Sequence, residues 1–444
     1  MSSQPQGSTT MSQASIYDTL RVLQTVVGPT LGKGVIKRHP WIEAAAQHLG
    51  LDTDAVQLLQ ELRKKYGSGP LLLRLPFRSQ VLLLDPKDVS QVLNSTPVPF
   101  GSATKEKISS LRHFEPNHIL IADPERRSQL RPMHETALAT GERVHPFTKR
   151  FQAVIDEELT PLIPASGTTA NFDWPAFSKA WYRIIRRIVL GDAARSDDQL
   201  TSDLDDLRRR ANGGFMMPVD NTKLEHVQAR LASYIDAPEE GSLVTRLPRD
   251  GHGLDLESQI AHWLFAFDPA GIAVFRALAL SGCHAEEQAR VAEEARDVGR
   301  VGGEDRRVSG AVFLESVRLY PTTPAILREL SEDAVLGGHK FQKGTGVIVF
   351  APFFHRDGER LEFADRLVPE QWSDREMDLA KGLVPFSAGP AICPAHNLVP
   401  MVGGIAIDAV VGRARIELVQ PQLDPKALLG TLDHTEVKLE LERR

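Results

Sequence analysis

Cys393 stands in the run Pro385-Phe386-Ser387-Ala388-Gly389-Pro390-Ala391-Ile392-Cys393-Pro394-Ala395, with Phe386 seven residues before it and Gly389 four before. Prolines on both sides make a stiff loop that fixes the direction of one sulfur. Alone, a cysteine among apolar residues is a small buried hydrophobe. A thiolate held in a fixed direction also suits a proximal ligand to haem iron, where it pushes electron density onto the metal and favours O–O cleavage. A second pair able to do more than decorate a surface is Glu315 and Arg318, in Glu315-Ser316-Val317-Arg318, 78 residues before the cysteine. At this spacing the carboxylate and the guanidinium share one helical face. A third is Asp268, an acid in the middle of the most apolar helical segment of the chain.

Taken together these blocks resemble the cytochromes P450. The cysteine loop is similar to the family's haem-binding loop. Glu315 to Arg318, followed by Pro324-Ala325-Ile326-Leu327-Arg328, resembles its Glu-x-x-Arg helix and the strand after it. Asp123-Pro124-Glu125-Arg126-Arg127-Ser128-Gln129-Leu130-Arg131 resembles the entry to its C-helix. His355-Arg356-Asp357 and the stretch from Phe363 to Trp372 resemble the meander before the haem loop. The likeness runs from about Asp123 to Val399, in the family's order, and is weaker before that. It implies a mainly α fold with small β-sheets (α+β) and haem b bound through Cys393. Phe386 and Gly389 would shape the loop, and Arg127, Arg131 and Arg328 would hold the propionates, a task that suits the planar guanidinium fork. Glu315 and Arg318 would lock the haem-side core. It also implies insertion of one oxygen atom from O2 into a small or medium apolar substrate, with electrons from a separate ferredoxin or flavodoxin and its reductase. The substrate-facing positions it implies are Phe100, His113, Phe215, Met216, Met217, Trp263, Phe267, Ala270, Thr323, Ala325 and Ile326. Arg126, Lys381 and Arg360 are candidates for a basic docking face.

Four departures bear on mechanism. Where the family places an acid followed by threonines, this chain reads Phe265-Ala266-Phe267-Asp268-Pro269-Ala270-Gly271. Asp268 is therefore the expected proton carrier, and Pro269 is expected to kink the helix. Ala391 replaces a basic residue two before the cysteine, and Pro394 has no N–H to offer the sulfur, which predicts an electron-rich thiolate and a lowered iron potential. Gln371 stands where an arginine commonly meets the Glu315–Arg318 pair, with Arg366 as a substitute. The missing threonines motivate an alternative: a peroxide-driven oxygenase, or a dehydratase or isomerase. A haem-binding protein without turnover is a third reading. His396, three after Cys393, has no second Cys/His pair nearby and reads as a surface histidine rather than a zinc ligand.

The elements that must position these residues are mostly helices. The chain has 444 residues, 42% hydrophobic, with formal net charge −6 and two cysteines. Such a balance argues against a nucleic-acid protein, and the cysteine count excludes a disulfide framework. Cys283 ends a helical stretch and reads as inert. Residues 1–14 read as a polar disordered tail and 15–444 as one haem domain, with no linker dividing it. No secretory signal and no membrane span are visible, so a cytoplasmic protein is expected. Residues 71–75 and 79–84 predict a hairpin, 86–93 a short helix and 97–121 a long loop. Periodicity predicts helices over 147–162, 172–190, 200–210, 256–280, 285–298 and 310–319. Residues 213–218 form a flexible apolar tip, and 414–441 alternate like strands.

Overall fold

The computed structural model describes residues 11–76, 78–248, 253–297, 307–372 and 378–444. Among the described residues helices dominate, with three small sheets beside them. The central element is the helix Leu256–Cys283, mostly apolar and buried along most of its length. It is long and apolar enough to cross a membrane, but its setting is that of a core helix. It packs against the helices Trp174–Leu190, Arg307–Leu319 and Leu398–Val411. It continues as a single element through Pro269. The indole Nε1 of Trp181 donates to the Phe267 carbonyl at 2.8 Å. Gly271 is needed beside it, because a Cβ there would lie 2.5 Å from the Trp181 ring.

The largest sheet orders its strands Leu71–Leu73, Gln80–Leu82, Gly346–Phe350, Ala325–Leu330 and Phe100–Gly101. The first two pair antiparallel, as the expected hairpin requires, and Gln80–Leu82 runs parallel to Gly346–Phe350. A second sheet joins Thr169–Asp173, Lys438–Arg443 and Ala414–Gln420, so the alternating C-terminal segment does form strands. Buried side chains form two clusters, one around the central helix and one beneath the large sheet.

Three expectations are corrected. Residues 97–121 are not one loop: Phe100–Gly101 is a strand, and Lys105–Leu111 is a helix whose start is capped by Thr104 accepting from the Lys107 N–H. The segment 172–190 begins as strand, and its helix starts at Trp174, where Asp173 caps it and Pro175 suits the first turn. Residues 1–10 of the expected tail lie outside the described residues. Packing begins before residue 15, since Gln13 bridges to Leu72, the Ala14 N–H donates to the Leu72 carbonyl at 2.9 Å and Ala14 is buried.

Candidate active site

The Cys393 loop is closed by its own backbone. The Cys393 N–H donates to the Phe386 carbonyl at 3.0 Å, and Pro385 bridges Ser387. Ser387 and Gly389 both take positive φ, 61° and 65°. Gly389 is required by its neighbour as well as by its conformation: a Cβ would lie 2.3 Å from the Leu93 carbonyl, at the end of the helix Pro86–Asn94. The close approach that this glycine permits in the structure is thus to that helix end. Burial raises the Cys393 thiol pKa, while a hydrogen bond from the Ala395 backbone and the charge of Arg131 oppose the rise. Pro394 has no N–H to offer the sulfur, so it is the Ala395 backbone that opposes the rise.

Beside the loop lies a group of cations. Arg328, on the strand Ala325–Leu330, donates from Nε to Thr96 Oγ1 at 3.1 Å and from Nη2 to Ser387 Oγ at 3.2 Å. Lys107 points its ammonium at the carbonyls of Ser102 and Leu327, at 3.0 and 3.1 Å. Arg127, on the helix Pro124–Ala137, is buried and reaches the Ile119 carbonyl at 3.5 Å. None of the three is ion-paired with a carboxylate among the described residues. Burial first, and then the neighbouring positive charges, depress all three pKa values: Arg328 falls to about 10, and Lys107 falls well below its ordinary value. Mutually repelling buried cations without counter-ions are expensive unless an anion joins them. A partly exposed sulfur in a rigid loop, with this carboxylate-free trio nearby, fits haem with its two propionates. Lys107 has no warning in the sequence, because the helix that brings it in lies in a stretch that reads as loop. Arg131 is placed differently from Arg127. It donates to the Ile392 carbonyl at 2.7 Å and pairs with Glu135 at 2.6 Å, so it braces the cysteine loop.

Glu315 and Arg318 are both fully buried and pair bidentately at 2.6 and 2.8 Å. Arg318 also donates to the carbonyls of His355, Ala364 and Arg366, at 2.9, 3.0 and 2.7 Å. Glu315 accepts from Trp372 Nε1 at 2.7 Å and from the Val368 N–H at 2.9 Å. The Arg366 side chain is not the substitute for the missing arginine: only its carbonyl takes part, and its guanidinium turns to Glu362. Trp372 fills the role, which a bulky indole in an otherwise loop-like stretch gave little reason to expect.

Asp268 accepts from Arg208 Nη1 at 2.7 Å. Burial raises its carboxyl pKa, and the Arg208 charge opposes that rise. Ala270, Phe267 and Trp263 are buried on the same helix, and Trp263 Nε1 donates to His134 at 3.0 Å. His113 is buried and its Nε2 lies 3.3 Å from the Gly214 carbonyl. Ala325 and Ile326 are half-buried at the start of their strand. Five expected substrate positions are not in such a setting. Phe215, Met216 and Met217 are 67%, 88% and 38% exposed, since the tip projects outward. Thr323 is exposed, and Phe100 is locked in the sheet core opposite Leu330. Of the candidates for a docking face, Arg126 pairs with Asp255 at 2.9 Å and Lys381 with Asp378 at 3.0 Å. Arg360 lies 3.8 Å from Asp85 and 3.7 Å from Asp357. His396 sits in the turn after Cys393, with Nδ1 3.0 Å from the Cys393 carbonyl. Burial lifts the Cys283 thiol pKa to about 12, which leaves it inert.

Comparison with known proteins adds independent support. The family model described as Cytochrome P450 matches residues 36–218 and 286–426, well over half of the chain. Cytochrome P450 4c3 of Drosophila melanogaster is 28% identical over 216 residues, 45% of this chain and 38% of that protein. Cytochrome P450 4V2 of Pongo abelii is 30% identical over 163 residues, 33% of this chain and 30% of that protein. The match thus spans little more than a third of the length of the first of these relatives and less of the second. Among solved structures, CYP175A1 from Thermus thermophillus superposes with TM-score 0.66 at 17% identity, covering 88% of this chain and 96% of that one. That likeness bears on the fold.

Proposed function

The chain belongs to the cytochrome P450 family, whose members bind haem b, and from that premise we propose that it is a haem-thiolate monooxygenase with Cys393 as its proximal ligand. The observation that carries the reading is the rigid loop holding the Cys393 sulfur beside a buried cationic trio with no ion-paired carboxylate among the described residues. Thiolate-bound haem supplies reductive O2 activation and delivery of one oxygen atom to an organic substrate. The chain's own residues do the rest. Arg127, Lys107 and Arg328 would hold the propionates, and Arg131 steadies the loop through the Ile392 carbonyl. The Ala395 N–H tempers the electron density on sulfur, which moderates the lowering of potential expected from Pro394.

With Pro269 and Ala270 lacking hydroxyls, Asp268 is the acid of the central helix placed to hold and pass a proton. Its raised pKa suits that task, and Arg208 sets its orientation. The substrate is a small or medium apolar molecule lying against Phe267, Ala270 and Ile326. A separate ferredoxin or flavodoxin delivers electrons to a protein that works in the cytoplasm. Because Arg126 and Lys381 are ion-paired at the surface, they contribute little net charge to docking.

The missing threonines favour one second reading, a peroxide-driven oxygenase. Product formation with NADPH and surrogate ferredoxin partners is to be measured against formation with hydrogen peroxide alone. Turnover with the electron donors supports the monooxygenase; turnover with peroxide only overturns it.

A further inference from the structure

Arg208 lies on the helix Asp198–Ala211 and is only 2% exposed. One nitrogen of its guanidinium, Nη1, is used by Asp268 at 2.7 Å, with Asp205 at 3.7 Å. The other two, Nε and Nη2, are buried and have no hydrogen-bond partner. In a guanidinium these two N–H groups form a single edge of parallel donors, whose spacing matches the two oxygens of a carboxylate. The guanidinium carbon lies 5.2 Å over the Phe265 ring and 5.8 Å over the Phe114 ring. Aromatic faces attract the positive charge but do not replace an in-plane acceptor. Unmet donors on a buried charged group are among the costliest vacancies a fold tolerates. Glu115 is the other acid whose charge Arg208 influences, and it is committed elsewhere: both of its oxygens lie 2.9 Å from His262 Nδ1.

We propose that the Nε–Nη2 edge of Arg208 anchors a carboxylate on the substrate, which makes apolar organic acids the substrate class. Phe114 and Phe265 flank the anchor with apolar surface. Three elements meet there: the segment after the helix Lys105–Leu111, the helix Asp198–Ala211 and the central helix. The first and third also carry His113, Phe267 and Ala270. The assignment deepens the haem-thiolate reading and rests on it for the chemistry performed, but acid binding itself is measured separately. A buried water is the competing occupant of the edge.

The test titrates haem-loaded protein with dodecanoic acid, dodecanol and dodecanamide at neutral pH. Binding is followed by calorimetry and by the Soret shift. The acid is expected to bind at least about tenfold more tightly than either neutral analogue, in line with a charge-assisted bidentate contact. R208Q is expected to remove that preference while leaving dodecanol affinity within about threefold. D268N, which frees the guanidinium from its internal partner, is expected to strengthen acid binding. R208K, which keeps charge without the fork, should restore only part of the preference and guards against a folding failure in R208Q. Equal affinity for acid and alcohol, or an acid preference that survives R208Q, overturns the assignment in favour of water. A reduced-CO spectrum on the same samples keeps the two readings apart. Loss of the thiolate signature in unaltered protein defeats the haem ligand, whereas a normal signature without acid preference defeats only the Arg208 anchor.

Discussion

Replacing Glu315 with alanine tests a fully buried and heavily connected ion pair. The substitution strands four donors at once: Arg318 Nε, the share of Arg318 Nη2 that Glu315 takes, Trp372 Nε1 and the Val368 N–H. Both partners are fully buried, so solvent does not screen the loss. Arg318 keeps its carbonyl contacts to His355, Ala364 and Arg366, which hold the guanidinium in place but do not neutralise it. Breaking one side of a buried pair costs about 3–5 kcal/mol, a large part of the ~5–15 kcal/mol that keeps an ordinary domain folded. Because the urea slope of a chain this long exceeds the ~1–3 kcal/mol per molar of small proteins, the unfolding midpoint should fall by roughly 1 M. The assay is urea unfolding of the haem-loaded protein, followed by far-ultraviolet circular dichroism and by Soret absorbance. The Glu315→Ala/Arg318→Ala double variant should cost clearly less than the sum of the two single variants, because both remove the same interaction. A loss below about 1 kcal/mol for Glu315→Ala, or strict additivity, would refute the claim that this pair holds the haem-side core.

Three further outcomes follow from the geometry. Gly389→Ala should lose about 1–3 kcal/mol and bind haem poorly, because φ is positive and the new methyl meets the Leu93 carbonyl; haem content per protein measures it, and normal loading would refute it. Arg328→Gln should stabilise haem-free protein by about 1–3 kcal/mol yet weaken haem retention, since the buried cation repels its neighbours until an anion arrives. The Arg328 pKa is about 10 in the folded chain against an ordinary 12.5, so its penalty is complete below pH 10 and fades as pH rises from 10 toward 12.5. Thermal melts with and without haem decide it, and destabilisation of both forms would count against the cationic cradle. Finally, burial holds His134 and His355 near pKa 3, so the unfolded chain takes up their protons first. Stability is complete above pH 6.5 and should fall as pH drops from 6.5 toward 3, by up to about 1.4 kcal/mol per pH unit for each. A flat unfolding free energy from pH 6.5 to 4.5 would contradict this.

The parts of the site that the sequence made legible are those set by short-range spacing. Phe386, Gly389 and Cys393 lie within one loop, and Glu315 and Arg318 within one helical turn, so local geometry defines them. The parts that stayed hidden depend on partners far apart in the chain. Lys107 meets the carbonyl of Leu327 from 220 residues away, and Trp372 meets Glu315 from 57. The Ala395 backbone contribution was hidden by the proline before it. Local composition misjudged the stretch 97–121, where Thr104 starts a helix that apolar periodicity does not announce. The outward tip at Phe215 and Met216 misled for the opposite reason, since apolar side chains are not obliged to face inward. The family model leaves residues 219–285 unmatched, and the central helix with Asp268-Pro269-Ala270 falls in that gap.

The most direct test of the central claim is the difference spectrum of reduced protein with and without carbon monoxide, taken on the unaltered chain and on Cys393→Ser. Thiolate ligation by Cys393 predicts the family's red-shifted Soret band in the first and its loss in the second, with haem still bound. A folded, haem-loaded protein without that band, or a band that survives in Cys393→Ser, would contradict the account.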